Sequence, residues 1–221
     1  AAVLARIATA CQRSGRDPSA VALVAVSKTV PATRLRAAVA AGLTTLGENR
    51  VQELAGKAAL LDGVDWHLIG HLQANKARLA VGLCSAIESV DSLDLARRLS
   101  RLSLEVRAAG AGPLPIYLQV NVDADPAKSG FVPTVLERDL AALCDLPGLR
   151  VAGLMTVGRL VAGAEEARPT FVALRDLSQR LGAREPRLGP GLSMGMSADF
   201  EVAVEEGATL VRVGQAIFGP R

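Results

Sequence analysis

The sequence predicts an α/β protein: a single (β/α)8 TIM-type barrel over residues 1–221, with an additional N-terminal helix. Short apolar runs alternate with longer helical patterns along the whole chain, which is typical of βαβ units in a parallel sheet. The runs VALVAV (21–26) and IYLQVNV (116–122) are almost continuously apolar, as expected for strands that are covered on both faces. A length of 221 residues fits one barrel domain better than two smaller domains.

Eight strands are predicted, and their number favours a closed barrel. They span residues 21–27, 44–47, 66–69, 86–90, 116–122, 151–156, 191–194 and 210–213. Helical patterns lie at 1–13, 31–41, 49–60, 73–81, 91–108, 132–145, 164–181 and 197–206. An open doubly wound sheet is the alternative, but such sheets usually place a glycine-rich loop after the first strand, where this chain has S-K-T-V-P (27–31).

Helix boundary signals agree with these elements. Pro31 opens the helical pattern after the first strand, and Asp91 precedes a long one. Gly42, Gly110 and Gly182 lie just past helical patterns, where glycine commonly ends a helix.

The charge pattern argues against a nucleic-acid partner. The chain has 25 basic and 22 acidic side chains, a net charge of +3, and the arginines are spread among the acids. The densest basic group, Arg97, Arg98, Arg101 and Arg107, is predicted to be a solvated helix face.

Cysteine usage and hydropathy indicate a cytoplasmic protein without a membrane segment. Cys11, Cys84 and Cys144 form no C-x-x-C pair, so neither a disulfide framework nor a structural zinc site is expected. The longest apolar runs are far too short to span a bilayer. The segment 1–13 is predicted to be an amphipathic helix and not a signal peptide.

Candidate site residues follow the strands, because the chemistry of a (β/α)8 barrel takes place at the carboxyl ends of its strands. Lys28 ends the first strand, where partial desolvation would favour the neutral amine that forms a Schiff base with an aldehyde. A structural lysine that pairs with a carboxylate at the rim is the alternative. Asn49 follows the second strand and suits ligand orientation, although asparagine also caps helices. His67 and His71 flank a glycine at the end of the third strand, and no metal site is expected from them.

The last two strands predict a phosphate site. Ser193 lies at the end of the seventh strand, and Gly214 and Gln215 follow the eighth; barrels often bind phosphate with the loops at these two places. Ordinary turns before short helices are the alternative. Arg212 lies within the last apolar strand, and arginine is rarely buried without a partner.

Six segments together resemble a known family. They are LVAVSKT (23–29), GENRVQE (47–53), WHLIGHLQANK (66–76), KSGF (128–131), GLMTVG (153–158) and LSMGMSADFEVAVEEGATLVRVGQAIFGPR (192–221). The chain resembles the pyridoxal phosphate homeostasis protein family, PROSC-like proteins related to the N-terminal barrel of alanine racemase.

The resemblance implies that pyridoxal 5′-phosphate (PLP) is the cofactor and that Lys28 holds it as a Schiff base. It further implies that Ser193 and the backbone at Gly214 and Gln215 hold the phosphate, that Arg212 faces the pyridine nitrogen, and that Asn49 lies near the cofactor. The family commonly has threonine where this chain has Gln215. A backbone N–H contact would survive that difference, whereas a hydroxyl contact would be lost.

Two functions remain open at this point, a non-catalytic carrier or buffer of PLP and an amino-acid racemase or related enzyme. Racemisation needs an acid/base group on each face of the α-carbon. In alanine racemase the second base is a tyrosine from an added β-domain, and here we expect no such domain. The only tyrosine, Tyr117, lies in the fifth strand pattern, so no second base is identified. The carrier is therefore favoured, with PLP as ligand, PLP-dependent apo-enzymes as candidate recipients, and a monomer as the expected state.

Overall fold

The computed structural model describes residues 1–108, 110–158 and 161–219. Eight parallel strands form a closed barrel in chain order, with β1 paired to both β2 and β8. The strands are Ala22–Val26 (β1), Thr45–Glu48 (β2), Asp65–Leu68 (β3), Ala86–Val90 (β4), Leu114–Gln119 (β5), Leu149–Met155 (β6), Gly191–Ser193 (β7) and Leu210–Val213 (β8). The predicted (β/α)8 barrel is confirmed, and the open sheet is excluded.

Nine α-helices lie within the described ranges. They are Ala2–Arg13 (α1), Ala32–Ala40 (α2), Val51–Ala58 (α3), Ala77–Leu83 (α4), Leu93–Val106 (α5), Pro133–Cys144 (α6), Arg168–Arg184 (α7), Phe200–Glu205 (α8) and Gln215–Phe218 (α9). Helix α9 was not predicted, because four residues are too few to show a helical period. None of the helices in this part of the chain is both long enough and apolar enough to cross a bilayer.

The predicted N-terminal helix is present and packs against α8. Two ion pairs join them, Arg6 to Glu201 and Arg13 to Glu205, both at 2.7 Å. The N-terminal helix is thereby joined to α8, the helix that precedes β8.

The fifth strand ends three residues earlier than predicted. The Asn121 side chain donates to the Asp125 carbonyl at 2.7 Å and accepts from the Asp125 N–H at 3.1 Å. These local bonds close a turn and compete with strand pairing, so the polar run after Val120 belongs to the loop at the rim.

Strand register separates an apolar outer layer from a polar lumen. Residues paired across parallel strands face the same side, and the pairs Val24–Arg212, Gly47–His67 and Met155–Ser193 face inward. The outward residues pack under the helices, and the largest fully buried side chains between strands and helices include Leu35, Leu46, Leu54, Leu99, Ile116 and Phe171. The polar groups that the sequence places in strands are therefore collected in the lumen.

Candidate functional site

The carboxyl ends of the strands bring three predicted site residues to one rim. Ala25 of β1 pairs with Val213 of β8, so Lys28 and Gly214 follow neighbouring strands. Val26 of β1 pairs with Gly47 of β2, and Asn49 comes two residues after that position. Lys28 therefore lies between the turn that holds Gly214 and the turn that holds Asn49.

Lys28 lies in a turn directly after β1 and is half-buried. No hydrogen bond or ion pair joins its amine to any of the described residues. By contrast, Lys57 pairs with Glu48 at 2.6 Å and Lys128 pairs with Asp123 at 3.5 Å. The alternative of a structural lysine paired with a rim carboxylate thus finds no partner in the described part of the chain.

The turn after β8 presents a group of hydrogen-bond donors. Ser197 Oγ accepts from the N–H of Gly214 at 3.1 Å and from the N–H of Ala216 at 3.4 Å. These amides belong to the first turn of α9, where N–H groups have no acceptor within the helix. Gln215 lies between them with an exposed side chain. Because a serine hydroxyl also donates, the group matches the acceptors of a phosphate.

Gly195 lets Ser197 reach this turn. Its φ is +90°, and a Cβ there would lie 2.5 Å from Ala203 Cβ and 2.9 Å from Phe200 Cα. Its carbonyl accepts from the Arg212 N–H at 3.0 Å. A side chain at this position would push the turn away from both β8 and α8.

Ser193 occupies the lumen and is fully buried. Its hydroxyl lies 2.6 Å from Glu88 Oε2 and accepts a bond from Arg212 Nη1. The serine that contacts the Gly214 amide is Ser197, which corrects the predicted grouping of Ser193 with Gly214. The reason is strand alternation: the register of β7 turns Ser193 inward, beside Met155.

Arg212 and Glu88 form the charged centre of the lumen. Arg212 Nη2 donates to the Thr156 carbonyl at 2.7 Å, and Nη1 lies 3.9 Å from Glu88 Oε2. Glu88 Oε1 lies 2.6 Å from His67 Nδ1. The guanidinium is 4% exposed and the carboxylate 0%. Each buried charge is therefore stabilised by the opposite charge and by its own hydrogen bonds.

Burial and pairing oppose each other in the pKa values of this pair. Burial acts to raise the pKa of Glu88, but the hydrogen bond with His67 and the charges of His67 and Arg212 bring it below its usual range. Burial lowers the pKa of Arg212, and the charge of Glu88 opposes that change. An arginine side chain stays protonated in proteins, so the lumen holds a carboxylate and a guanidinium. Sequence analysis missed Glu88, although a glutamate in the apolar run AIESV (86–90) is the same kind of signal that singled out Arg212.

Tyr117 also faces the lumen, from β5. A Cβ on Gly191 would lie 3.1 Å from its hydroxyl, so the ring fills the space that this glycine leaves. Burial, and then the charge of Glu88, raise the pKa of the Tyr117 phenol. The phenol is therefore protonated at neutral pH and is a poor base there.

Asn49 borders a cavity of about 430 Å³ at the rim. The cavity is lined by Asn49, Arg50, Val51, Gln52, Gly70, His71, Gln73 and Lys76. A Cβ on Gly70 would lie 2.4 Å from the Asn49 carbonyl oxygen, so the end of β3 and the turn after β2 are in direct backbone contact. Within the described ranges, no group of three or more His, Cys, Asp and Glu side chains is arranged to hold a metal ion.

Gly70→Ala is expected to lower the free energy of unfolding by about 1–3 kcal/mol, because the added methyl group must displace the Asn49 backbone. Urea unfolding measures the change. Gly56→Ala in α3 is the matched control: nothing lies within 4 Å of its added Cβ, and this exposed helix position is expected to gain about 0.5–1 kcal/mol. Equal effects of the two substitutions would contradict the close contact at Gly70.

Known proteins match this chain over its whole length. The family described as "Alanine racemase, N-terminal domain" matches residues 1–221. The relatives of this chain include proteins named "Pyridoxal phosphate homeostasis protein". The one from Pseudomonas aeruginosa is 46% identical and covers 100% of this chain and 94% of its own length; the one from Aquifex aeolicus is 39% identical and covers 99% and 95%.

Solved structures give the same relationship. PipY from Synechococcus elongatus PCC7942, determined with PLP bound, is 41% identical with a TM-score of 0.85 and covers 98% of this chain and 100% of its own. Alanine racemase from Clostridium difficile 630 is 11% identical with a TM-score of 0.76; it matches 99% of this chain, which spans 56% of the racemase. The second similarity shows a shared fold alone. The chain belongs to the alanine racemase N-terminal domain family and, within that family, to the pyridoxal phosphate homeostasis proteins.

Proposed function

We propose that this protein binds PLP at the carboxyl-terminal rim of its barrel and serves PLP homeostasis as a non-catalytic carrier or buffer. The observation that supports this most directly is that the unpaired Lys28 amine and the donor group at Ser197 and Gly214 follow the neighbouring strands β1 and β8. An aldehyde needs the first and a phosphate needs the second, and PLP has both groups on one small ring. The PLP-bound structure of PipY, at 41% identity, supports the same ligand.

The donor set fits the phosphate. Ser197 Oγ and the N–H groups of Gly214 and Gln215 would hold it, and Asn49 would border the ring. Because a backbone N–H does not depend on the side chain, glutamine at position 215 is compatible with this site. Ser193 would act through Arg212, which it binds in the lumen, and would not contact the phosphate.

When bound, PLP supplies an aldehyde for reversible attachment of an amine and a pyridine ring that can withdraw electrons. We propose that Arg212 faces the ring nitrogen. A fixed positive charge there disfavours protonation of that nitrogen, and an unprotonated ring withdraws electrons less well. Glu88, Ser193 and the Thr156 carbonyl hold the guanidinium in place. These residues favour retention of the cofactor over reaction at an α-carbon.

An amino-acid racemase is the second candidate function. One observation favours it: His71 Nδ1 lies 3.1 Å from Asp91 Oδ2 at the same rim, and such a pair can exchange protons with a substrate. Tyr117 is a poor base in its buried position. Racemisation would therefore depend on Lys28 and His71.

One experiment separates the two functions. The purified protein is loaded with PLP and incubated with single L-amino acids, and the chirality of the products is followed over time. Retention of PLP without conversion is expected for the carrier. Turnover at about 1 per second or faster, an ordinary enzyme rate, would establish the racemase, and failure to bind PLP would overturn both.

We further propose a monomeric, cytoplasmic protein that passes PLP to apo-enzymes. The cysteines are free thiols, which suits a reducing compartment. The large exposed apolar side chains of the described residues lie on separate elements: Leu4, Leu60, Leu79, Leu104, Val132 and Met196. Light scattering tests the monomer, and activation of a purified apo-enzyme by the loaded protein tests the transfer.

A further inference from the structure

We infer that Lys57 is a positioning residue for Lys28: with the carboxylates of Glu48 and Glu53, its ammonium fixes the turn from which Lys28 reaches the rim. This inference rests on the proposed function of Lys28. It concerns a side chain on α3 that is not among the residues proposed to contact PLP.

The Lys57 ammonium uses all three of its donors within this cluster. Its Nζ donates to the Ser27 carbonyl at 2.7 Å, to Glu48 Oε1 at 2.6 Å and to Glu53 Oε1 at 2.7 Å. The side chain is 10% exposed. A buried ammonium with three acceptors in place is held in one geometry.

The same cluster holds the residues on both sides of Lys28. Before it, Ser27 is bonded through its carbonyl to Lys57 and through its hydroxyl to Glu48 Oε1 at 2.6 Å. After it, the Thr29 N–H donates to Glu53 Oε1 at 2.6 Å. The Lys28 side chain, between these two fixed points, has no partner among the described residues. The cluster therefore fixes the backbone of Lys28 and leaves its amine free.

Thr29 has a backbone conformation that is unfavourable for threonine. Its φ is +64°, a left-handed conformation that a β-branched residue rarely adopts. Such a conformation persists only where the surrounding contacts enforce it. The bond from the Thr29 N–H to Glu53 helps to enforce it here, together with the bond from the Val30 N–H to the Ser27 carbonyl at 2.9 Å.

The charges of the cluster depend on Lys57. Glu48 is fully buried, and its Oε2 has no hydrogen-bond partner among the described residues. Burial raises the pKa of Glu48, and Lys57 opposes the rise; for Glu53, burial is outweighed by the bonds from Lys57 and Thr29, which lower its pKa. Removal of the ammonium takes away the one cation that hydrogen-bonds to both carboxyl groups, and the turn is then expected to be released.

The test compares four variants by the rate at which they capture PLP from solution, with folding checked by urea unfolding. Lys57→Met and Glu53→Ala are expected to capture PLP about tenfold to a hundredfold more slowly, the effect of a misplaced reactive group. Glu53→Gln is expected to stay near the wild-type rate, because its amide oxygen still accepts from Thr29 and Lys57. Ser103→Ala is the control, since it removes a buried bond to the Gly148 carbonyl at 2.8 Å, away from the rim.

Each outcome decides the inference. Unchanged capture by folded Lys57→Met and Glu53→Ala would overturn it, and so would equal slowing by Ser103→Ala, because stability alone would then explain the effect. Should Lys57→Met fail to fold, the contrast between Glu53→Ala and Glu53→Gln decides in its place. A wild-type protein that captures no PLP would overturn the proposed function together with the inference, whereas wild-type capture with unchanged variants overturns the inference alone.

Discussion

Lys28→Ala is expected to abolish covalent capture of PLP. The substitution removes the amine that lies unpaired at the end of β1, and an aldehyde forms a Schiff base only with such a group. Visible absorbance of the protein titrated with PLP reports the loss. Borohydride reduction of the wild-type adduct followed by peptide mass mapping is expected to place the cofactor on the peptide that contains Lys28.

Lys76→Ala is the matched control for this prediction. Lys76 lines the rim cavity beside Asn49, so it tests whether any lysine near the mouth captures the cofactor. The control is expected to retain the wild-type absorbance. A reduced adduct of Lys28→Ala on another lysine, with undiminished affinity, would contradict the assignment.

Arg212→Met is expected to lower the free energy of unfolding by about 3–5 kcal/mol, because loss of one member of a buried ion pair leaves an uncompensated charge. The remaining partner is Glu88, whose side chain is 0% exposed. The Thr156 carbonyl would also lose its bond from Arg212. Urea unfolding without PLP measures the change.

Two further variants test whether loss of the buried ion pair causes this change in stability. Arg187→Met removes an exposed arginine that pairs with Asp145 and Glu185, and it is expected to change the midpoint little, since exposed ion pairs contribute little. Adding Glu88→Gln to Arg212→Met is expected to restore part of the loss, because the buried carboxylate that has lost the positive charge of Arg212 is then gone. A small effect of Arg212→Met alone would show that Glu88 takes up a proton at little cost.

The lowered pKa of Glu88 predicts a contribution to acid unfolding. Since the folded pKa lies below the unfolded value of about 4.3, the stability that Glu88 contributes is present above that value. It is lost as the pH falls through the folded pKa. Glu88→Gln is therefore expected to flatten the dependence of the urea midpoint on pH below about pH 5, and an unchanged slope would assign the acid sensitivity to other groups.

The fold was predictable from the sequence because the residues that indicate each strand lie within that strand. Each strand is a short apolar run, and β4 and β8 have the predicted bounds. Lys28 and Gly214 were predicted for a related reason, since they closely follow such runs, and the structure places both at the same rim.

The contacts within the site were harder to predict, because they depend on register and on distant partners. Ser193 and Ser197 lie four residues apart in one motif, and only the pairing of β7 with its neighbours shows which hydroxyl faces the lumen. The link between Lys57 and Ser27 joins α3 to the end of β1, and a lysine in a helical pattern gives no sign of it. Local patterns thus predict where the chain turns, and the closed sheet decides which side chains meet there.

The β1–β8 seam has a consequence for the making of this protein on the ribosome. Lys28 is translated long before Gly214, yet the two follow neighbouring strands. A nascent chain that has not yet added β8 cannot offer the amine and the phosphate donors together. Uptake of PLP would then require that β8 has paired with β1, and by mass action each bound copy would be protected against reopening at the seam.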